Sequence, residues 1–252
     1  MKTKWDYSEL AKAYLNRPDY SEDAINELIK LSRISSDAKV CDIGAGTAHL
    51  TLMFLKRGYT VTAVEPNDEM RRFGIERTKE YSKRVKWVEA TAEETGLPDE
   101  SFNLVTFGSS FNVTDRQRAL QESYRLLKPQ GWFACMWNHR NLDDPLQAEI
   151  ERLIKSFIPN YSYGTRREDQ TKIINQSNLF NTVFKIEKPV THTITKEQCI
   201  EAWKSHATLQ RQAGDQFLQV VSAIAELINK TVSGNTVTIP YTTRVWAAEV
   251  RK

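Results

Sequence analysis

The chain has 252 residues, 40% hydrophobic and 27% charged, so it can bury a core without disulfides or metal. A formal net charge of +3 is too slight to indicate a nucleic-acid or membrane partner, and Arg71-Arg72 and Arg166-Arg167 read as short solvated surface pairs. Three widely spaced cysteines, Cys41, Cys135 and Cys199, with no CxxC, argue against a disulfide framework or a zinc site, and no metal site is expected.

Taken in chain order, residues 1–20 carry charges throughout and have no apolar h-region, so they are not expected to act as a signal peptide. No run approaches the roughly 20 apolar residues of a spanning helix, so the expectation is a soluble cytoplasmic protein, monomer or homodimer. Residues 7–15 and 21–33 read as short amphipathic helices separated by Pro18, with Ser21 as N-cap of the second. An alternating series follows. Strands are expected at Ala38–Ile43, Thr60–Val64, Val85–Ala90, Phe102–Phe107 and Trp132–Trp137, with helices at Gly46–Arg57, Asn67–Tyr81 and Thr114–Leu127 between them. Such alternation predicts βαβ units and a parallel sheet covered on both faces, with a ligand at the carboxyl ends of the strands.

After Asn138 the pattern changes. Leu146, Ile150, Leu153, Ile154 and Phe157 form a helical stripe, and residues 160–170 a polar, tyrosine-bearing loop. Thr182–Ile194 alternates like a strand, 196–209 and 215–230 read as helices, and Thr236–Val250 as a last strand. No repeat or flexible linker divides the chain, so residues 1–252 read as a single domain in which the segment between the fifth and last strands forms a cap.

The chemistry-bearing stretch is Val40-Cys41-Asp42-Ile43-Gly44-Ala45-Gly46. Glycines at a strand–helix junction allow a tight turn and close approach of a ligand, and the helix start presents unpaired N–H groups. Asp42 at the strand end is placed to receive an ammonium or to order water. Glu65 ends the second strand 19 residues after Gly46, where a carboxylate accepts the two ribose hydroxyls of an adenosine. A dinucleotide site asks for a third glycine where His49 stands, and a P-loop asks for Gly-Lys-Ser/Thr. A ligand with adenosine but no phosphate fits better; a plain structural turn is the remaining alternative.

The ordered blocks VCDIGAGTAHLT, VTAVEPNDEM, ATAEETGLPDESFNLVTFGSSF and ALQESYRLLKPQGWFACMWN, covering about residues 38–138, resemble class I S-adenosylmethionine-dependent methyltransferases of the type 11 group, which includes quinone-biosynthesis enzymes. WNHRNLDDP and IPYTTRVWAAEV resemble a subgroup acting on small molecules. The resemblance implies an α/β fold: a doubly wound, mostly parallel, seven-stranded Rossmann-like sheet with an antiparallel last strand and a helical cap. Residues 1–35 would be an N-terminal lid, 36–138 the cofactor-binding core, 139–235 the cap with the sixth strand, and 236–252 the terminal strand. The implied cofactor is S-adenosyl-L-methionine, leaving as S-adenosyl-L-homocysteine, and the implied partner a small-molecule acceptor rather than nucleic acid.

By the same resemblance Asp42, Gly44, Ala45 and Gly46 line the methionine end of the cofactor, and Glu65 holds the ribose. Pro66, Asn67, Met70, Ala92 and Glu93 bracket the adenine, and Gly108 and Ser109 face the sulfonium. Tyr7, Tyr14, Arg17 and Tyr20 of the lid and Tyr161, Tyr163 and Trp203 of the cap are candidate acceptor contacts. Methyl transfer from a sulfonium requires a general base only where the acceptor must lose a proton. His139 and His206 are the candidates for that role; His49 reads as packing or a cofactor-edge contact and His192 as structural. Two departures stand out: Ala48 occupies a usual glycine position and is expected to narrow the cleft, and Ser110-Phe111-Asn112-Val113 replaces a Phe-His-Trp type run. Methyl transfer to RNA or protein is the alternative, without a basic groove or an Asn/Asp-Pro-Pro-Tyr run in its favour. A non-catalytic cofactor-binding protein is the other.

Overall fold

The computed structural model describes residues 11–252, so Tyr7 lies outside the described residues. Seven strands form one sheet: β1 (Lys39–Ile43), β2 (Thr60–Val64), β3 (Val85–Val88), β4 (Phe102–Gly108), β5 (Leu127–Arg140), β6 (Phe184–Thr195) and β7 (Thr236–Glu249), in the order β3-β2-β1-β4-β5-β7-β6. The first five run parallel; β7 is antiparallel to both β5 and β6. Strand order reverses between β1 and β4, and the crevice above their carboxyl ends is where an open α/β sheet takes its ligand.

Period-two alternation sends successive side chains of each buried strand to opposite layers. Cys41, Ile43, Val105, Phe107, Phe133, Cys135 and Trp137 pack on one face, under α5 (Arg116–Leu126) and α7 (Thr171–Gln176). Val40, Val61, Leu104, Ala134 and Met136 pack on the other, under α2 (Glu22–Ser32) and α3 (His49–Lys56). Asp42 shares parity with Val40, so its carboxylate projects toward α3. The cysteines are free and buried.

The strands are unequal. β1 to β4 have 4 to 7 residues, whereas β5 and β7 have 14 and β6 has 12. Gly108 of β4 pairs with Met136, and β5 runs on to Arg140, about 13 Å further at strand rise. That overhang carries the cap: α6 (Pro145–Phe157), α8 (Lys196–Lys204), α9 (Ala207–Ala213) and α10 (Phe217–Thr231) bury Ile150, Ile154, Trp203, Leu209, Val220 and Ile224 against Val237, Ile239 and Tyr241.

Several sequence-based boundaries shift for local reasons. α3 starts at His49 rather than Gly46, because Gly46 and Ala48 take positive φ of 55° and 71°. The expected helix over 67–81 is α4 (Asp68–Arg77) followed by a 3-10 turn, and the expected helix over 196–209 breaks where His206 caps α9. α1 is Ala11–Tyr14 among the described residues. No helix of the described residues is long and apolar enough to cross a membrane.

Candidate functional site

The turn from β1 into α3 sits at the switch point. Gly44 and Ala45 donate their N–H groups to the Val64 carbonyl (2.8 and 3.0 Å), which fastens the turn to the end of β2. Gly44 has φ +68°, and a Cβ there would stand 2.4 Å from Cβ of Ser110, whose Oγ donates to the Ile43 carbonyl at 2.6 Å. A larger residue at 44 would therefore drive the turn off the loop after β4. A Cβ on Gly46 would meet nothing within 4 Å, so this backbone borders open space. Ala48 is buried and does not line the cavity; its methyl leaves the cleft width alone, contrary to expectation. What it brings is a left-handed backbone, which for a non-glycine residue costs about 1–2 kcal/mol.

Two buried carboxylates flank this turn. Asp42 accepts from Thr51 Oγ1 (2.6 Å) and Thr106 Oγ1 (3.1 Å), and burial pushes its pKa up to about 6 against those hydrogen bonds. Glu65 accepts the Gly46 N–H on Oε2 (2.9 Å) and the Asn67 N–H on Oε1 (2.8 Å). Its pKa is raised by burial and pulled back by those two N–H groups. Each carboxylate keeps lone pairs beyond these bonds, since an ionised carboxylate offers about four. Asn67 caps α4 by accepting from the Met70 N–H.

The N-terminal segment is stitched over the crevice. His49 Nδ1 meets Asp19 at 2.8 Å and its Nε2 meets the Tyr14 carbonyl at 3.2 Å. Tyr20 OH lies 3.0 Å from Oγ of Ser109, a residue held at φ 58° where β4 ends. Asn138 Nδ2 donates to the Asp19 carbonyl (2.9 Å) while its Oδ1 accepts from Thr243, which in turn accepts the Ser21 N–H (2.8 Å). His192 Nε2 donates to the Asn16 carbonyl at 3.0 Å.

These walls enclose a cavity of about 780 Å³. Asp42, Gly44, Ala45, Gly46, Glu65, Pro66, Asn67, Met70, Ala92, Glu93, Gly108 and Ser109, all singled out in the sequence, border it together. So do Tyr14, Arg17, Tyr20, Tyr163, His139 and His206. Tyr161 and Trp203 do not: Tyr161 packs behind Tyr163 at 5.3 Å between ring centroids, and Trp203 is buried under His206 and the Arg140 guanidinium. Both belong to the cap core.

Both histidines border the cavity, and both are held as weak bases. His139 Nε2 donates to the Arg166 carbonyl (3.0 Å), and burial with the nearby Arg166 holds its pKa down at about 3. Its Nδ1 is buried without a partner among the described residues. His206 Nδ1 accepts the Leu209 N–H as the cap of α9, and burial, then Arg17, Arg166 and Arg140, hold its pKa well below the usual value.

The sequence reading missed Arg140, Arg166, Arg167, Asn112, Asn138 and Tyr241 on the cavity wall. The Arg166-Arg167 pair is therefore no solvated surface patch. A tyrosine-rich polar loop with paired arginines next to the fifth strand's end was the one local signal available.

Residues 41–135 match the family model described as "Methyltransferase domain". An uncharacterised methyltransferase of Mycobacterium tuberculosis is 33% identical over 125 residues, 50% of this chain and 48% of that one. A demethylmenaquinone methyltransferase of Listeria welshimeri is 35% identical over 116 residues, 44% of this chain and 49% of that one. The chain thus spans about half the length of the curated relatives it matches. Among solved structures, one assigned as a type II methyltransferase of Anaeromyxobacter dehalogenans superposes with a TM-score of 0.67 at 17% identity, over 92% of this chain and 97% of that one.

Proposed function

We propose that this chain, which carries a class I S-adenosylmethionine-dependent methyltransferase domain of the type 11 group, transfers a methyl group from S-adenosylmethionine to a small organic acceptor. When bound, S-adenosylmethionine supplies an electrophilic methyl carbon; an acceptor lone pair bonds to it in line while the S–C electron pair stays on sulfur.

The residues fit that group. Glu65, fixed by two backbone N–H groups, keeps lone pairs for a pair of ribose hydroxyls. Asp42, fixed by two threonines, offers a carboxylate to an amino group. Pro66, Asn67, Met70, Ala92 and Glu93 supply a slot for the adenine, and the open backbone at Gly46 lets the ligand lie close. Gly108 and Ser109, at the end of β4, border the same cavity beside Tyr20 and suit the sulfonium.

On the acceptor side, Tyr14, Tyr20, Tyr163, Tyr241, Ile194 and Ile239 provide apolar surface, and the N-terminal segment, fastened at Asp19 and Tyr20, narrows access of water. Burial keeps both histidines weak bases, which suits an acceptor atom that arrives with a free lone pair.

The observation that carries this reading is the single cavity of about 780 Å³ joining both sets of residues, a size suited to small molecules rather than a polymer groove. The test is incubation with methyl-labelled S-adenosylmethionine and a metabolite extract, then mass spectrometry. Label in a small product is expected; label confined to RNA or protein overturns the small-molecule assignment.

A further inference from the structure

Four guanidinium groups, those of Arg17, Arg140, Arg166 and Arg167, line the cap end of the cavity. Arg140 closes the overhang of β5, Arg166 and Arg167 come from the loop before α7, and Arg17 follows α1. Their hydrogen-bond and ring partners are all neutral, and the one carboxylate that acts on Arg167 through space, Glu151, is already bonded to Tyr163 OH and Lys155. Arg17 donates to the Ser205 carbonyl (2.8 Å) and Oγ (3.3 Å) and lies over the Tyr14 ring. Arg140 stacks on Trp203 at 3.8 Å and donates through Nε to Tyr241 OH at 3.3 Å. Arg166 donates to the Asn138 carbonyl (3.4 Å), and Arg167 donates to the Arg140 carbonyl (3.0 Å) and lies over Tyr163.

No carboxylate of the described residues forms an ion pair with any of the four. The four carboxylates on the cavity wall are engaged in their own loops. Asp42 is held by Thr51 and Thr106, and Glu65 by Gly46 and Asn67. Glu93 accepts the Asp115 N–H, and Asp115 caps α5. The cavity therefore has a carboxylate end and a guanidinium end.

Gathering like charges in a partly enclosed space is costly unless an anion completes the set. On the function proposed above, S-adenosylmethionine brings one carboxylate, which one arginine satisfies. The surplus belongs to the second molecule. We propose that the methyl acceptor is an organic anion, and that Arg140, Arg166 and Arg167 grip its carboxylate or phosphate group at the cap end of the cavity. Guanidinium suits this role because its planar donors match an oxyanion in pairs. Arg140 and Arg167 are held by ring stacking and by one bond each, which leaves the remaining donors for the ligand.

The test has two arms on the full chain. In the first, protein loaded with S-adenosylhomocysteine is titrated with citrate, with inorganic phosphate and with the uncharged triethyl ester of citrate. Citrate or phosphate should bind and the ester should not. Arg140→Gln, Arg166→Gln and Arg167→Gln should each weaken anion binding by about tenfold, with S-adenosylhomocysteine affinity held within about threefold as the fold control. In the second, a metabolite extract is split by anion exchange before incubation with methyl-labelled S-adenosylmethionine. Label should arise from the retained fraction; phosphatase pretreatment abolishes it for a phosphate acceptor and spares it for a carboxylate. Label from the unretained fraction, or anion binding untouched by all three substitutions, overturns the proposal. Failure to bind S-adenosylhomocysteine at all would strike the methyltransferase reading instead, while the anion titration of unloaded protein still decides this one.

Discussion

At the scale of single residues, the cavity depends on two carboxylates kept ionisable by neighbours that only donate. Asp42 shows the tension most clearly. Burial raises its pKa to about 6, so the folded state binds its proton more tightly than the unfolded chain. Its contribution to stability is therefore fully present below about pH 4 and is lost as pH rises through about 6, worth roughly 2–3 kcal/mol. His139, held at about 3, works in the opposite sense, costing stability as pH falls below about 6.5. The comparison of wild type with Asp42→Asn isolates the first effect. Urea unfolding from pH 4 to pH 7 should show the variant gaining on the wild type as pH rises; a constant gap contradicts the assignment. If Asp42 receives an amino group, S-adenosylhomocysteine affinity should also rise through pH 6 in the wild type and stay flat in Asp42→Asn.

The residue-scale roles differ in how legible they were. Asp42, the glycines and Glu65 declare themselves by position, because a strand end and a 19-residue interval are written in the chain. Arg166 and Arg167 do not, because two arginines in a polar loop look the same whether solvent or a cavity lies beyond them. Trp203 and Tyr161 misled for the converse reason: an aromatic residue on a helix or loop gives no sign of which side faces the core.

At the scale of elements, the site is a joint between the turn after β1 and the loop after β4. Gly44 and Ser110 meet at a distance that admits no Cβ on residue 44. Gly44→Ala should therefore lower stability by about 2 kcal/mol or more, through the clash and the positive φ together, and cut S-adenosylhomocysteine affinity at least tenfold. Adding Ser110→Gly removes the opposing Cβ and should recover part of the loss. Thermal unfolding and calorimetry of the two single variants and the double read this directly; strictly additive effects would mean the two loops are not in contact. Helix and strand identities were readable here because apolar spacing is a local property. Their ends were less so. β5 extends past the expected Trp132–Trp137 at its start, where Leu127 pairs with Phe102 of β4, and at its end, where β7 pairs with it as far as Arg140, partnerships the fifth strand's own sequence does not encode. Likewise the break at His206 depends on a side-chain cap that resembles ordinary helix interior in the sequence.

For the whole molecule, the sheet divides the labour. The short strands β1 to β4 bring the glycine turn, Asp42 and Glu65 to one edge, and the long strands β5 to β7 rise beyond that edge to hold the cap and the arginines. The order of strands was legible through the ordered blocks of residues 38–138, while the overhang and the cap packing were not, since they arise from pairing between segments about 40 to 120 residues apart. The central claim, that this switch-point cavity binds S-adenosylmethionine through its acidic end, is tested most directly by titrating S-adenosylhomocysteine into wild-type protein and Glu65→Ala by calorimetry. The account predicts one site per chain in the wild type and at least a tenfold loss in the variant, for removal of a charged hydrogen-bond partner. No binding to the wild type, or equal affinity in both proteins, would contradict it.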